Sequence, residues 1–256
     1  MSSMATSWII FGCVFGGALV GMFFRAVLPE RHLSAESKDV VKLGMGLIAT
    51  MSALVLSLLI ASAKSSFDTQ RSELAQLSAN VILLDRILAL YGPETKGTRE
   101  ALRDIVAGAI DRVWPENRSP VDPVTQAAQV EPTNAPERLF QKIEQLSPKT
   151  DTQRSLQAQA SKMTMDLTQA RWLLHAQRGS SIPVPFLVVL VFWLTILFTS
   201  FSLFSPPNPT VIVTLLVCAL SVSGAIFLIL ELDRPFGGFI QISSAPLRDA
   251  LARLGH

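Results

Sequence analysis

The side chains that could do chemistry in this sequence are few, and most lie beside or within long apolar segments. Its three histidines, His32, His175 and His256, are too far apart to form a metal-binding pair at helical spacing. Cys13 and Cys218 each lie inside an apolar segment, without a second thiol or a histidine at metal-ligand spacing. Because nucleophile elbows and phosphate-binding glycine loops are also absent from the sequence, we expect no catalytic residue, metal or cofactor, and no enzyme.

The apolar segment at residues 43–63 carries small and hydroxyl side chains along one face. These residues recur at spacings of three and four and end at a lysine: Gly46, Thr50, Ala53, Ser57, Ala61 and Lys64. Such a stripe could line a narrow, partly wetted ion path in which hydroxyl dipoles face ions and Lys64 concentrates anions at the mouth. Close helix packing, with serine and threonine bonded across an interface, explains the same pattern. Both interpretations stay open.

Four apolar segments are long enough to cross a membrane, at residues 7–24, 43–63, 182–204 and 210–230. The sequence is 49% hydrophobic and 16% charged, as expected of a membrane protein. We predict an all-α polytopic membrane protein with four transmembrane helices and a helical insert. Its predicted parts are a first hairpin (1–63), the insert (64–181), a second hairpin (182–230) and a tail (231–256).

The first segment lacks a basic start and a cleavage site, so we expect it to be retained.

The first segment also carries two overlapping pairs of glycines, each pair four residues apart: Gly12 with Gly16 and Gly17 with Gly21. Small residues at this spacing let helix backbones approach closely, which favours association in lipid. We predict that these glycines pack against other helices.

Two heptad-like seams flank the insert. Between Gly46 and Gly92 there is neither glycine nor proline, which predicts one helix of about 45 residues. Its outer part carries apolar residues at 67, 74, 77, 81, 84, 88 and 91, and a second seam follows at 156, 160, 163, 167, 170 and 174. The two stalks are expected to pair antiparallel, either within one chain or between subunits.

Two shorter amphipathic helices are predicted between the stalks, at about residues 98–114 and 135–146. A proline-rich loop at about 115–136 joins them. Residues 64–178 hold fifteen Lys/Arg against fourteen Asp/Glu, so we expect an ion-paired surface and no nucleic-acid partner. Near the membrane ends, seven basic residues on the insert side oppose four on the other, which favours a cytoplasmic N-terminus, insert and C-terminus.

The sequence ELDRPFGGF follows the fourth apolar segment at once. Pro235 disfavours helical geometry at Arg234, so the helix should end near Asp233. The glycines at 237 and 238 are expected to turn the chain back sharply. The predicted clasp at the membrane mouth comprises Glu231, Asp233, Arg234, Pro235, Phe236 and Gly237, with Asp233 and Arg234 paired to stalk charges such as Arg86 and Asp85.

Pro235, Phe236 and Gly237 resemble the Asn-Pro-Phe-Gly segment after the last membrane helix of bestrophin chloride channels, with Arg234 at the asparagine position. The wider pattern is similar to the bacterial bestrophin-like membrane family. It rests on residues 43–95 and 182–250, which include four polar stalk residues: Arg71, Asn80, Asp85 and Arg86.

This resemblance implies a homo-oligomer in a bacterial inner membrane, pentameric as in bestrophins. The second helix of each subunit would line an anion pore, and the insert would form a cytosolic vestibule. The partners implied are the lipid bilayer, further copies of the chain and small inorganic anions. The acidic run that binds calcium in some bestrophins is replaced here by GFIQ, so calcium gating is not expected. An alternative hypothesis is a non-conducting scaffold or sensor that recruits a cytosolic partner through its stalks and proline-rich loop.

Overall fold

The computed structural model describes residues 3–27, 35–115, 135–176, 183–206 and 208–255. His32, His256 and most of the proline-rich loop, residues 116–134, lie outside these ranges. Within them the chain is helical and has no strand, which confirms the all-α prediction. The helices are α1 (Ser3–Val27), α2 (Ala35–Tyr91), α3 (Lys96–Val113), α4 (Ala135–Glu144), α5 (Asp151–Ala176), α6 (Val184–Phe204), α7 (Pro209–Leu232) and α8 (Ala245–Arg253).

Four of these helices, α1, α2, α6 and α7, are long and apolar enough to cross a membrane, so the prediction of four spans is confirmed. Helix α2 has 57 residues and continues well beyond its apolar part. It is longer than the sequence indicated, because Gly44 and Gly46 lie inside it without ending it. In hydrocarbon a helix is favoured at such positions since it satisfies every backbone amide within the segment.

The chain forms two compact units. One comprises Met1–Phe67 with Ser180–Ile240, and the other comprises Asp68–Gly179 with Gln241–His256. The first therefore contains the apolar helices and the segment directly after α7. The second contains α3, α4, α5, α8 and the outer part of α2.

The core of the membrane unit lies where α1 packs against α6 and α7. The buried side chains of α2 that join this core are Leu59 and Ala63. Ser223 of α7 donates its hydroxyl to the carbonyl of Ser7 at 2.7 Å, which adds a polar link between α7 and α1. Such a bond has no water to compete with it in an apolar core.

The glycines of α1 divide into two pairs with different surroundings. A Cβ on Gly17 would lie 2.8 Å from Cγ2 of Thr195, and one on Gly21 would overlap the carbonyl oxygen of Thr199. No atom lies within 4 Å of a Cβ built on Gly12 or Gly16. Close approach of α1 to α6 therefore requires Gly17 and Gly21, while a Cβ on Gly12 or Gly16 would have open space around it among the described residues.

In the insert unit, polar side chains donate hydrogen bonds to backbone carbonyls at the ends of helices. Gln157 of α5 donates its amide to the carbonyls of Ile143 and Leu146, both at 2.9 Å, at the C-terminal end of α4. Gln153 donates to the Tyr91 carbonyl at 3.0 Å, so the first turn of α5 lies beside the end of α2. This contact suits antiparallel stalks, although the pairing of the full seams stays a prediction.

The α1–α6 contact predicts different effects on stability for the same substitution at two glycines. Gly21→Ala should lower the free energy of unfolding by about 1 to 3 kcal/mol, because the added methyl group overlaps the backbone of α6. Gly12→Ala is the matched control and should be neutral, since its Cβ meets nothing. The measurement is unfolding of purified protein in mixed micelles with increasing denaturing detergent. Equal stability of the two variants would contradict the assigned contact.

Candidate functional site in the second helix and the segment after the fourth span

The stripe on α2 is exposed along its whole length. Within the single chain, every one of its members lies at the surface: Gly46, Thr50, Ala53, Ser57, Ala61 and Lys64. The opposite part of the helix is buried, at Met45, Ser52, Leu59 and Ala63. At about 100° per residue, the buried face is centred about 135° from the stripe. The stripe is therefore not the surface with which α2 packs inside its own chain.

The two hydroxyl groups of the stripe have different local bonds. Thr50 donates its hydroxyl to the Leu47 carbonyl at 2.8 Å, a bond within the helix that leaves its oxygen lone pairs outward. Ser57 makes no such bond within the described chain. Ser57 is thus the hydroxyl that could donate to a passing anion without first breaking a backbone contact.

Lys64 lies at the end of the stripe, where the chain leaves its apolar segment. Its ammonium nitrogen is 5.6 Å from the ring centroid of Phe67, a buried side chain one turn later. A cation at this distance is attracted by the face of an aromatic ring. This contact fixes a positive charge next to the last small residue of the stripe.

A ridge of leucines lies beside the stripe. It comprises Leu43, Leu47, Leu54 and Leu58, which are 78%, 63%, 71% and 63% exposed. The ridge is centred about 70° around the helix from the stripe. The next residue after Leu58, Leu59, is buried and belongs to the packed face. Helix α2 therefore has three distinct faces: one packed, one small and polar, and one apolar and exposed.

Helix α7 ends at Leu232 with Asp233 as its last helical-type residue, as Pro235 predicted. The Arg234 amide donates to the Glu231 carbonyl at 3.0 Å, and the Gly237 amide donates to the Arg234 carbonyl at 3.2 Å. Pro235 is buried, Asp233 and Phe236 are half-buried, and Arg234 and Gly237 are exposed. The chain thus makes two successive tight turns directly after the span.

The turn is held by Glu231, which is only 4% exposed. Its carboxylate oxygen Oε2 accepts the Phe239 amide at 2.7 Å. A Cβ on Gly238 would overlap this carboxylate, whereas one on Gly237 meets nothing within 4 Å. Neither glycine has a positive φ. A glycine is therefore required by close approach at Gly238, and a left-handed backbone conformation plays no part in this turn.

Among the four stalk residues singled out by sequence, Asp85 is buried, Asn80 is half-buried, and Arg71 and Arg86 are exposed. Arg99 of α3 donates to both oxygens of Asp85, from Nε at 2.7 Å and from Nη2 at 2.9 Å. Asp85 therefore has a partner within its own unit, Arg99, and the pairing expected between the segment after α7 and the stalk charges stays a prediction. These hydrogen bonds raise the pKa of Arg99 above its usual value. Gly255 lies with its amide 3.5 Å from the same carboxylate.

The end of α2 contains a buried phenol. Tyr91 is 4% exposed, and its hydroxyl has no hydrogen-bond partner among the described residues. Burial raises the pKa of Tyr91 above its usual value of 10.0, and the nearby charge of Glu94 raises it further. Gly92 follows with φ +137°, which permits the tight connection to α3.

Sequence reasoning missed the residues that complete these contacts. Arg99 was part of an evenly charged helix, and nothing marked it as the partner of a residue 14 positions earlier. Trp114 was expected only as the end of a helix, but its indole donates to the Ile242 carbonyl at 2.9 Å. The adjacent glycines at 237 and 238 did signal a constrained backbone, although they did not show which one approaches a side chain.

Comparison with known proteins identifies the fold and the family. A bestrophin-like domain matches residues 12–247. The chain belongs to the bestrophin-like family. Three crystal structures of a bacterial bestrophin homolog from Klebsiella pneumoniae share the fold. Two single-substitution variants have TM-scores of 0.64 and 0.65 at 14% identity, each covering 94% of this chain and 97% of that chain. A structure solved by zinc phasing has a TM-score of 0.63 at 14% identity, over 93% of this chain and 96% of that one. A comparison with curated proteins gives no match.

The matched region of this bestrophin-like protein includes the α2 stripe, Asp85 and the segment after α7. The resemblance drawn from Pro-Phe-Gly is therefore confirmed at the level of the family. Together with the four apolar helices, it assigns the bestrophin-like protein to a membrane. Groups of three or more possible metal ligands are absent from the part of the chain that the structure describes.

The burial of the Tyr91 hydroxyl predicts that Tyr91 ionises at a higher pH in the folded protein than in the unfolded chain. Tyr91 is the only tyrosine, so tyrosinate absorbance reports this residue alone. Because its folded pKa is raised, we expect that absorbance to appear at higher pH in the native protein than in denaturant. Its contribution to stability is fully present below pH 10 and is lost as pH rises through the folded pKa.

Tyr91→Phe is the control for this titration. It should remove the tyrosinate signal and weaken the loss of stability above pH 10. At neutral pH it should be neutral or stabilising by about 1 kcal/mol, because it removes a buried donor that has no acceptor. Coincident native and denatured titration curves would show that Tyr91 is accessible to water.

Proposed function

We propose that this bestrophin-like protein is an oligomeric channel for small inorganic anions, with α2 lining the pore. Its family is one of channels rather than enzymes, which gives the class of activity. The observation that carries the pore assignment is the exposure of the whole small and polar stripe while the opposite side of α2 is packed. Packing of the stripe against helices of the same chain would leave this exposure unexplained.

The arrangement of faces on α2 suits a ring of subunits. A helix that lines a central pore needs one face toward the axis, one toward a neighbour and one toward its own subunit. The stripe, the leucine ridge and the buried face of α2 supply three such faces. The ridge would pack on an adjacent copy, in which leucine side chains replace lipid contacts with close van der Waals contacts. Five copies are proposed from the resemblance to bestrophins.

The chemistry of the stripe favours anions over cations. Between Leu43 and Ala63 the segment contains no acidic or basic residue, and Lys64 supplies a positive charge at its end. A hydroxyl proton, such as that of Ser57, offers the positive end of a dipole to an anion. From the resemblance to bestrophins, we propose that the insert forms a cytosolic vestibule, with the N-terminus, insert and C-terminus on the cytoplasmic side of a bacterial inner membrane.

The Ser57 position tests the pore assignment. Ser57→Leu should reduce anion conductance while the subunit number stays unchanged, because a branched apolar side chain narrows and dries the path. If it raises the barrier by about 1.4 kcal/mol, flux should fall about tenfold. Purified protein in planar bilayers gives the conductance, and native mass spectrometry gives the subunit number.

Ser221→Leu is the matched control for Ser57→Leu. Ser221 is also an exposed serine in a span, but it lies on α7 and donates to its own Val217 carbonyl at 2.8 Å. Its replacement should leave conductance unchanged. Equal conductance of both variants and the parent protein, with assembly intact, would exclude α2 as the pore helix.

The Lys64 charge tests selectivity. Lys64→Glu should shift the reversal potential under a salt gradient toward cation selectivity, because it replaces a positive charge at the mouth with a negative one. Lys64→Gln should produce an intermediate shift. The shifts should shrink at high ionic strength, where the charge is screened over a shorter distance. A reversal potential that is the same in all three proteins would show that Lys64 lies away from the ion path.

A further inference from the structure

Phe239 is an apolar side chain that lies outside the helices of the membrane unit and is 75% exposed. It follows two glycines, so no neighbouring side chain shields it on that side. An apolar surrounding would stabilise an exposed phenylalanine ring in this segment, because contact of the ring with water is unfavourable.

Two contacts fix the backbone of Phe239 beside the end of α7. Its amide donates to Oε2 of Glu231 at 2.7 Å, and Glu231 is itself buried. Gly238 has no Cβ, which lets the chain lie directly against that carboxylate. The position of Phe239 is therefore set by a charge-assisted hydrogen bond, the stronger class of such bonds.

The ring of Phe239 lies beside α7, level with a residue inside the span and not past its end. Its centroid is 6.3 Å from that of Phe227, with the rings inclined at 60°. Phe227 precedes the last residue of α7, Leu232, by five positions, which corresponds to about 7.5 Å along the helix axis. The chain thus leaves the span, turns, and places an exposed ring at the level of a residue inside the span.

We propose that Phe239 inserts into the bilayer and anchors the segment after α7 to the lipid. The surface of α7 is already apolar and exposed at Leu220 and Leu228, which are 53% and 51% exposed, so an apolar surrounding is expected along this helix. Phe239 lies in sequence between Gly238, which has no side chain, and Ile240, which is half-buried, so this segment adds the exposed apolar surface of essentially one ring, less than a protein interface needs. It does fit between acyl chains.

In this arrangement the segment after α7 has two anchors of opposite character. Glu231 holds it from the protein side through a backbone amide, and Phe239 holds it from the lipid side. The inference rests on the membrane spans and not on ion conduction, so it stands or falls separately from the proposed channel activity.

A fluorescent label at position 239 tests the proposal. In full-length protein with Cys13→Ala and Cys218→Ala, Phe239→Cys is labelled with an environment-sensitive NBD group and reconstituted into phosphatidylcholine vesicles. Phosphatidylcholine that carries a doxyl quencher near the top of the acyl chain should quench this label about as strongly as a label on Leu228→Cys. A label on Glu100→Cys, an exposed position of α3, should be quenched severalfold less by the doxyl lipid and more by aqueous iodide.

The same experiment identifies the other possible surroundings of the ring. Quenching at 239 by iodide but not by doxyl lipid would mean that the ring lies in water, and quenching by neither would mean that another protein surface covers it. Either result overturns the proposal. Glu231→Ala should reduce doxyl quenching at 239, whereas Glu231→Gln should retain it, because its side-chain carbonyl still accepts the Phe239 amide.

Discussion

The rest of the structure depends on the requirement that α2 be one unbroken helix. In hydrocarbon, backbone amides that are not bonded within their own segment are costly. The apolar part of α2, residues 43–63, satisfies them within one helix that runs without a break from Ala35 to Tyr91. A helix presents all of its faces at once, so the sequence of α2 must match a different surrounding on each side. Its packed face joins the core of α1, α6 and α7, and the two remaining faces stay exposed in one chain. Those two faces are available to lipid, to further copies of the chain or to the proposed ion path.

Buried charge in this bestrophin-like protein is used to hold the C-terminal part of the chain. Among the described residues, the carboxylates that are at least nine-tenths buried are Asp85 and Glu231. Glu231 accepts the amide of Phe239, and Asp85 pairs with Arg99 and lies 3.5 Å from the amide of Gly255. A buried carboxylate without partners would be strongly destabilising. Each compact unit therefore fixes a C-terminal backbone segment with a carboxylate that already needs a donor.

The features predictable from sequence were those with local causes. An apolar run sets a span, the absence of glycine and proline after Gly46 sets the continuity of α2, and Pro235 sets the end of α7 at Leu232. The remaining features depend on which surfaces meet. Gly12 with Gly16 and Gly17 with Gly21 are the same pattern in sequence, yet only the second pair contacts α6, because the choice is made by the orientation of α1. For the same reason, Asp85 could not be matched to Arg99 from spacing alone.

In the proposed ion path, the residues along which ions pass and the charge that selects anions lie at different positions of α2. Before Lys64, the stripe holds only small side chains and two hydroxyls, so it would allow several copies of α2 to approach the axis closely while offering few strong binding groups. Weak binding suits conduction, since an ion held tightly would not leave. In this proposal the charge that would distinguish anions from cations is that of Lys64, at the end of the stripe, where the ring of Phe67 limits the positions of the ammonium group. A charge outside the apolar segment retains most of its hydration, so it can raise the local anion concentration without the cost of burying a cation in the membrane.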